Sequence, residues 1–345
     1  MKEENKIKSI IAIRAVAVLL VMLCHFFSET ALDVHSDQLK EITSTLGHIG
    51  VTLFFIVSGF VLPYSMYKVD FEFRTIPRYL FRRAVRIEPP YIASIVLVLI
   101  CMCAKDLIGQ TVNYTSNAEA VFTQLLYLND ILGLPWLNVV YWTLALEFQF
   151  YLLIGLLFPL IKKFASSKLS LALLMLCSLK ILATDNIWIT YYLPFFVIGF
   201  SACSFKLNKI KLNQLIILGG CCIVINFYNN NGLYSIMDIL TVIIFMVMYG
   251  FENKRFSRSL LFIGEISYSI YLIHNIIVAG ICILNPLNIG LKWRVVLSAI
   301  SLVGAVYPSY LFYKFVEKPF HKEAKKIKYR RTHKLKAIGY FKIEN

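Results

Sequence analysis

Two ionisable residues interrupt the apolar stretch IRAVAVLLVMLCHFF, residues 13–27. Arg14 and His25 stand eleven positions apart. In a helix that spacing is ~1100° of rotation and a rise of ~16 Å, so both side chains share one face at different depths. An ionisable group inside hydrocarbon costs a few kcal/mol and marks function by default. A guanidinium near the surface suits phosphate. A desolvated, neutral imidazole suits proton transfer or nucleophilic attack. The plainer alternative is that Arg14 snorkels to the surface and His25 bonds to a neighbouring helix.

Other positions repeat the theme. In YWTLALEFQFYLL (141–153), Glu147 lies about eight residues into an apolar run. A carboxylate there needs a partner or must take up a proton. In GEISYSIYLIHNII (264–277), His274 follows Tyr271 by three residues and shares its face. Counted from the span ends, His25, Glu147 and His274 fall at one depth, as in an intramembrane active site. In FRRAVRIEPPY (81–91), Arg82, Arg83 and Arg86 cluster beside Glu88, which suits either a topology anchor or a phosphate site. In LGHIGVTLFFIVSGFVLPYS (46–65), Gly47, Gly50, Ser58 and Gly59 allow close helix packing. His48 reads as an interfacial histidine.

These residues need long apolar helices to position them. The chain is 58% hydrophobic and 16% charged over 345 residues, with mean hydropathy +0.68. That composition predicts an all-α polytopic membrane protein. Ten spans are expected, near 10–27, 47–67, 85–104, 139–161, 169–184, 188–205, 212–230, 233–251, 260–283 and 295–316. With both termini cytoplasmic, thirty of the thirty-five Lys and Arg fall on the inner side, as the positive-inside rule requires. The net charge of +15 therefore reads as topology and lipid contact, and no nucleic-acid partner is expected. The expected organisation is a cytoplasmic segment 1–9, a membrane domain 10–320 and a basic cytoplasmic tail 321–345. The first apolar run has no cleavage site for a signal peptide. The eight cysteines suggest free thiols, and no metal site is expected. The longest outer loop, 105–138, is expected to hold a short helix near EAVFTQLLYL (119–128).

Taken in order, the motifs resemble those of the acyltransferase family 3 membrane proteins, bacterial O-acyltransferases of surface polysaccharides. The likeness covers residues 10–320. Arg14 and His25 match a basic residue, ten positions and a histidine. RRAVR (82–86) resembles the family's basic doublet, two residues and arginine. GVTLFFIVSGF (50–60) is similar to GVDLFFVLSGF, and WTLALEFQFY (142–151) to WSLSVEEQFY. ISYSIYLIH (266–274) and VEKPF (316–320) match ISYxxYLxH and IEKPF. Two acids of the family pattern are replaced, by Thr52 and Phe148.

The resemblance implies a ten-helix core in the bacterial cytoplasmic (inner) membrane. It implies transfer of an acyl group, usually acetyl, from cytoplasmic acyl-CoA to a hydroxyl of a glycan or lipid-linked saccharide. His25 takes the catalytic role, and Arg14, Arg82, Arg83 and Arg86 serve the donor. In that frame Glu147 orients His25, while His274 or Tyr271 binds the acceptor or the oxyanion. Acetyl-CoA is a donor substrate, and no permanently bound cofactor is expected. Some relatives carry a fused extracytoplasmic domain. None is expected here, so transfer is direct or completed by a separate extracytoplasmic partner. The rival readings are a proton-coupled transporter and a non-catalytic assembly factor. Against the transporter, the sequence shows no internal repeat and no obviously broken helix pair.

Overall fold

A computed structural model describes residues 7–26, 37–107, 118–183, 185–229, 232–250, 256–283, 296, 299–300 and 302–328. Among them every regular element is helical. In chain order these are α1 (Lys8–Phe26), α2 (Asp37–Tyr67), α3 (Ile76–Leu107), α4 (Ala118–Leu125), α5 (Asn129–Leu132), α6 (Trp142–Ile161) and α7 (Ser166–Ser178). Then come α8 (Ile189–Lys206), α9 (Leu212–Asn229), α10 (Gly232–Gly250), α11 (Arg258–Glu265), α12 (Ser267–Ile283), α13 (Val306–Phe312) and α14 (Lys318–Lys326). A π-helical turn, Tyr313–Glu317, joins the last two.

Six described segments are long and apolar enough to cross a membrane: Lys8–His25, Ser44–Tyr67, Phe73–Ala104, Val139–Ile161, Ile189–Lys206 and Gly232–Gly250. The bent pair Arg258–Glu265 and Ser267–Val278 makes a seventh if counted as one crossing. Ten spans were expected, and the difference lies in particular segments. Residues 169–184 do not form one rod: α7 has 13 residues and passes into a 3-10 turn, Leu179–Leu182, around the buried Lys180. The apolar run Leu212–Tyr228 is shorter than a full crossing. The run 260–283 bends by 76° between α11 and α12. Residues 295, 297, 298 and 301 of the run 295–316, the loop 284–294, residues 1–6 and the tail from 329 onward lie outside the described residues. A hydropathy window sums apolar character and is blind to such breaks. The short helix expected in the 105–138 loop is α4.

Helix α2 is the hub and packs against α1, α6, α8 and α10. Lipid tails are as apolar as leucine, so helices in a membrane associate through close packing and polar contacts rather than hydrophobic burial. Small residues provide the approach. A Cβ on Gly50 would sit 2.6 Å from the Ala17 carbonyl of α1. At Gly59 it would overlap the Phe196 carbonyl of α8, and at Gly199 the Ile56 carbonyl of α2. Phe196 then stacks between Phe55 and Phe150, with ring centroids 4.9 and 4.0 Å away. These contacts fix α1 and α2 in register, and with them the residues below.

Candidate active site

His25 occupies the last turn of α1. His274 sits two turns into α12, and the two rings lie 5.2 Å apart between centroids, tilted by 51°. His274 is fully buried. Its Nδ1 faces the carbonyl oxygens of Ile270 at 2.9 Å and Tyr271 at 3.0 Å. Carbonyls only accept, so Nδ1 carries the proton and donates it. Nε2 is then the lone-pair nitrogen, and it is buried without a hydrogen-bond partner.

Two cavities lie along α1. The first, of about 110 Å³, is lined by Arg14, Arg83, Arg86, Glu147, Tyr151 and Tyr268 among others. The second, of about 490 Å³, is lined by His25, Cys24, His48, Trp142, Tyr191, Tyr192 and Tyr234 among others. Val51 and Tyr271 are the residues that line both. The Tyr271 hydroxyl is held by Thr143 Oγ1 and by the Val140 carbonyl at 3.2 Å, and its ring meets Phe54 edge-on at 5.7 Å. Tyr271 and Val51 therefore form the wall between an arginine cavity and a histidine chamber.

Glu147 was expected beside His25. The structure places it in the arginine cavity, accepting from Ser58 Oγ at 2.9 Å. Trp142 at the start of α6 lines the histidine chamber. Five residues on, the helix has descended ~7.5 Å and turned by ~140°, which carries Glu147 past the wall. Depth counted from span ends misses this because it ignores which face a residue occupies. Of the four arginines, Arg14, Arg83 and Arg86 line the cavity and Arg82 does not. Arg83 lies near the rings of Tyr79 and Tyr151, 5.7 and 5.6 Å from their centroids. Glu88 accepts from Tyr127 Oη at 2.9 Å.

Two acids escaped the sequence reading. Glu317, in VEKPF, is buried, accepts from Ser269 Oγ at 2.6 Å and interacts electrostatically with Arg14 and Arg86. It lies in the π-helical turn, a geometry frequent at functional sites. Asp238 of α10 is buried and lies 2.6 Å from His48 Nε2, so His48 is not a bare interfacial residue. An acid within the apolar run SIMDILTV (235–242) was the available signal for Asp238. Its partner, 190 positions away, was not. Thr52, where the family pattern has an acid, pairs with Thr241 Oγ1 at 3.1 Å. One turn along the same helix pair, the buried carboxylate is Asp238 of α10, paired with His48.

Among the described residues, apolar helices long enough to cross a membrane carry the half-buried His25 and the buried His274 across one wall from Arg14, Arg83 and Arg86, the arrangement of an integral membrane protein with ionisable groups held inside it. The chain belongs to the acyltransferase family 3 membrane proteins: that family's model, an acyltransferase domain, matches residues 7–314. The chain is also similar to Acyltransferase MdmB of Streptomyces mycarofaciens, 30% identical over 169 residues. That match covers 46% of this chain and 41% of the relative, so the chain spans about two fifths of the relative's length. No solved structure matches the chain.

Proposed function

We propose that the protein transfers an acyl group, acetyl in the first instance, from cytoplasmic acyl-CoA to a hydroxyl of a cell-envelope or exported polysaccharide. The supporting observation is the wall of Tyr271 and Val51, with Arg14, Arg83 and Arg86 on one side and His25 with His274 on the other. In this reading the protein crosses the bacterial cytoplasmic membrane ten times with both termini inside. The arginine cavity then faces the cytoplasm and the histidine chamber the outside.

The arginines bind the phosphates of the donor, and its pantetheine arm follows α1 toward His25. His25 accepts the proton of the acceptor hydroxyl, whose oxygen attacks the thioester carbonyl carbon. The carbon–sulfur bond breaks, and the departing thiolate takes the proton from the imidazolium. With Nδ1 donating to the Ile270 and Tyr271 carbonyls, His274 has only its Nε2 lone pair to offer, and its ring lies 5.2 Å from that of His25 between centroids. In the reaction an N–H of His25 donates to that lone pair, which fixes the tautomer and stabilises the imidazolium in the role a carboxylate plays in hydrolase triads. Glu147 and Glu317 balance charge among the arginines.

The test is CoA release from labelled acetyl-CoA by protein in nanodiscs, for wild type, His25→Ala and Arg86→Ala. Turnover by wild type and its loss in His25→Ala support the reading. Wild-type protein that neither binds nor consumes any acyl-CoA sinks it.

A further inference from the structure

Helices α7 and α9 carry a pair of nucleophiles that the reading above does not use. Cys177 and Cys222 are both fully buried, and the Cys177 thiol donates to Cys222 Sγ at 3.3 Å. The described cysteines are free thiols, so the pair stands in its reduced form. A plain packing role is available, because a buried cysteine behaves as a small hydrophobe unless its reactivity is put to use. Here the surroundings bear on reactivity.

Three residues on from Cys177 and four on from Cys222, the same two segments meet again: Lys180 Nζ donates to Asn226 Oδ1 at 2.9 Å. Lys180 is fully buried, interacts electrostatically with Cys177 and lies 4.3 Å from the centroid of the Tyr191 ring. A lysine held inside the membrane is costly and marks function by default. Thiol–disulfide exchange begins with attack by a sulfur that carries negative charge, and a neighbouring ammonium stabilises such a sulfur. A second thiol 3.3 Å away is placed to resolve the mixed disulfide that the attack produces. A covalent S–S bond measures about 2.04 Å, so closing the pair takes up roughly 1.3 Å. Cys177 is the penultimate residue of α7, which passes at Leu179 into the 3-10 turn, and Met175 and Leu182 beside it are exposed. A helix end opens locally at low cost, which admits a small apolar reagent dissolved in the bilayer.

We propose that Cys177 and Cys222 are a redox-active dithiol that closes to a disulfide by exchange with a lipid-soluble disulfide. Cys177 Sγ loses its proton and attacks one sulfur of the incoming disulfide, and the expelled thiolate takes up that proton. Cys222 Sγ then attacks Cys177 Sγ in the mixed disulfide and expels the second thiol in the same way. The two protein thiols give up two electrons, and the incoming disulfide is reduced to two thiols. The new bond ties α7 to α9. Both pack against α8, which Gly59 and Gly199 hold on α2, so the staple braces the layer that supports the hub helix. None of this depends on which reaction the cavities perform.

The experiment treats the protein in nanodiscs with dipyridyl disulfide, denatures it in N-ethylmaleimide and maps its tryptic peptides without reductant. Cleavage after Lys168 and Lys180 leaves Cys177 as the single cysteine of residues 169–180. The expected product is that peptide joined to the one holding Cys222, with no pyridylthio group at either cysteine. Cys221→Ser is expected to give the same link, which separates Cys222 from its neighbour. In Cys222→Ala nothing resolves the first step, and Cys177 is expected to keep a pyridylthio group. Wild-type protein in which both cysteines carry N-ethylmaleimide overturns the proposal, because the pair is then a sealed packing contact. So does a pyridylthio group on each of them, or a link from Cys177 to any other cysteine.

Discussion

The imidazoles of His25 and His274 lie 5.2 Å apart between centroids, tilted by 51°, and the buried one has its lone pair at Nε2. The pairing is a division of labour. His25 lines the chamber and can meet a substrate. His274 is fully buried and, in the proposed mechanism, acts through His25. Removing a positioned general base costs ~10²–10⁴-fold, and His25→Ala is expected to lose that much transfer. His274→Asn keeps a polar group near the Ile270 and Tyr271 carbonyls but removes Nε2. It is expected to lower kcat ~10-fold or more while KM for acetyl-CoA stays within threefold. Wild-type kcat in His274→Asn, measured by CoA release, would remove His274 from the mechanism.

Tyr271 separates the two cavities, so its size matters apart from its hydroxyl. Tyr271→Ala joins the arginine cavity to the chamber. Water then reaches a donor thioester more freely, and acetate is expected to form at the expense of acylated product. Tyr271→Phe preserves the wall and loses the bonds to Thr143 and Val140, a cost of about 1 kcal/mol in stability. The two products separate chromatographically. A Tyr271→Ala protein with the wild-type product ratio would mean that Tyr271 does not partition the donor from water.

Some of this was legible in the sequence and some was not. The eleven-residue spacing of Arg14 and His25 is a local property of one helix, and helical periodicity alone puts both on one face. His274 and Tyr271 are likewise three residues apart on one helix. Long-range partners depend on how helices rotate against each other, which no local pattern encodes. That is why Glu147 was assigned to His25 and lies with the arginines, and why Asp238 was missed beside His48. Beside the break at the α11–α12 junction, Gly264 lodges against the Ile11 carbonyl, again a contact between distant segments.

The arginine cluster divides sharply. Arg83 and Arg86 line the cavity, whereas Arg82, turned ~100° from Arg83 on α3, does not. Charge-assisted contacts to phosphate are among the stronger hydrogen bonds. Arg83→Ala and Arg86→Ala are expected to raise KM for acetyl-CoA tenfold or more, and Arg82→Ala less than threefold. Equal effects at all three positions would point to a diffuse surface charge instead of a cavity. Raising salt discriminates further, since exposed charges are screened within about 10 Å at 0.1 M and buried ones much less.

Glycine at the α2–α8 crossing carries the site indirectly. Gly59 lodges against the Phe196 carbonyl and Gly199 against that of Ile56, so a methyl at either position has backbone in its way. Backbone cannot swing aside as a flexible side chain can, and overpacking of this kind costs about 1–3 kcal/mol. Gly199→Ala is expected to lower the melting temperature of the detergent-solubilised protein. Gly219→Ala on α9, where an added Cβ meets nothing within 4 Å, is expected to leave it unchanged. Because α2 also carries His48, Val51 and Ser58, displacing it moves parts of both cavities together. Gly199→Ala is therefore expected to reduce transfer through both donor and acceptor KM, unlike the single-sided effect of Arg86→Ala. A Gly199→Ala protein with normal melting and normal kinetics would show that α2 and α8 are not held this closely.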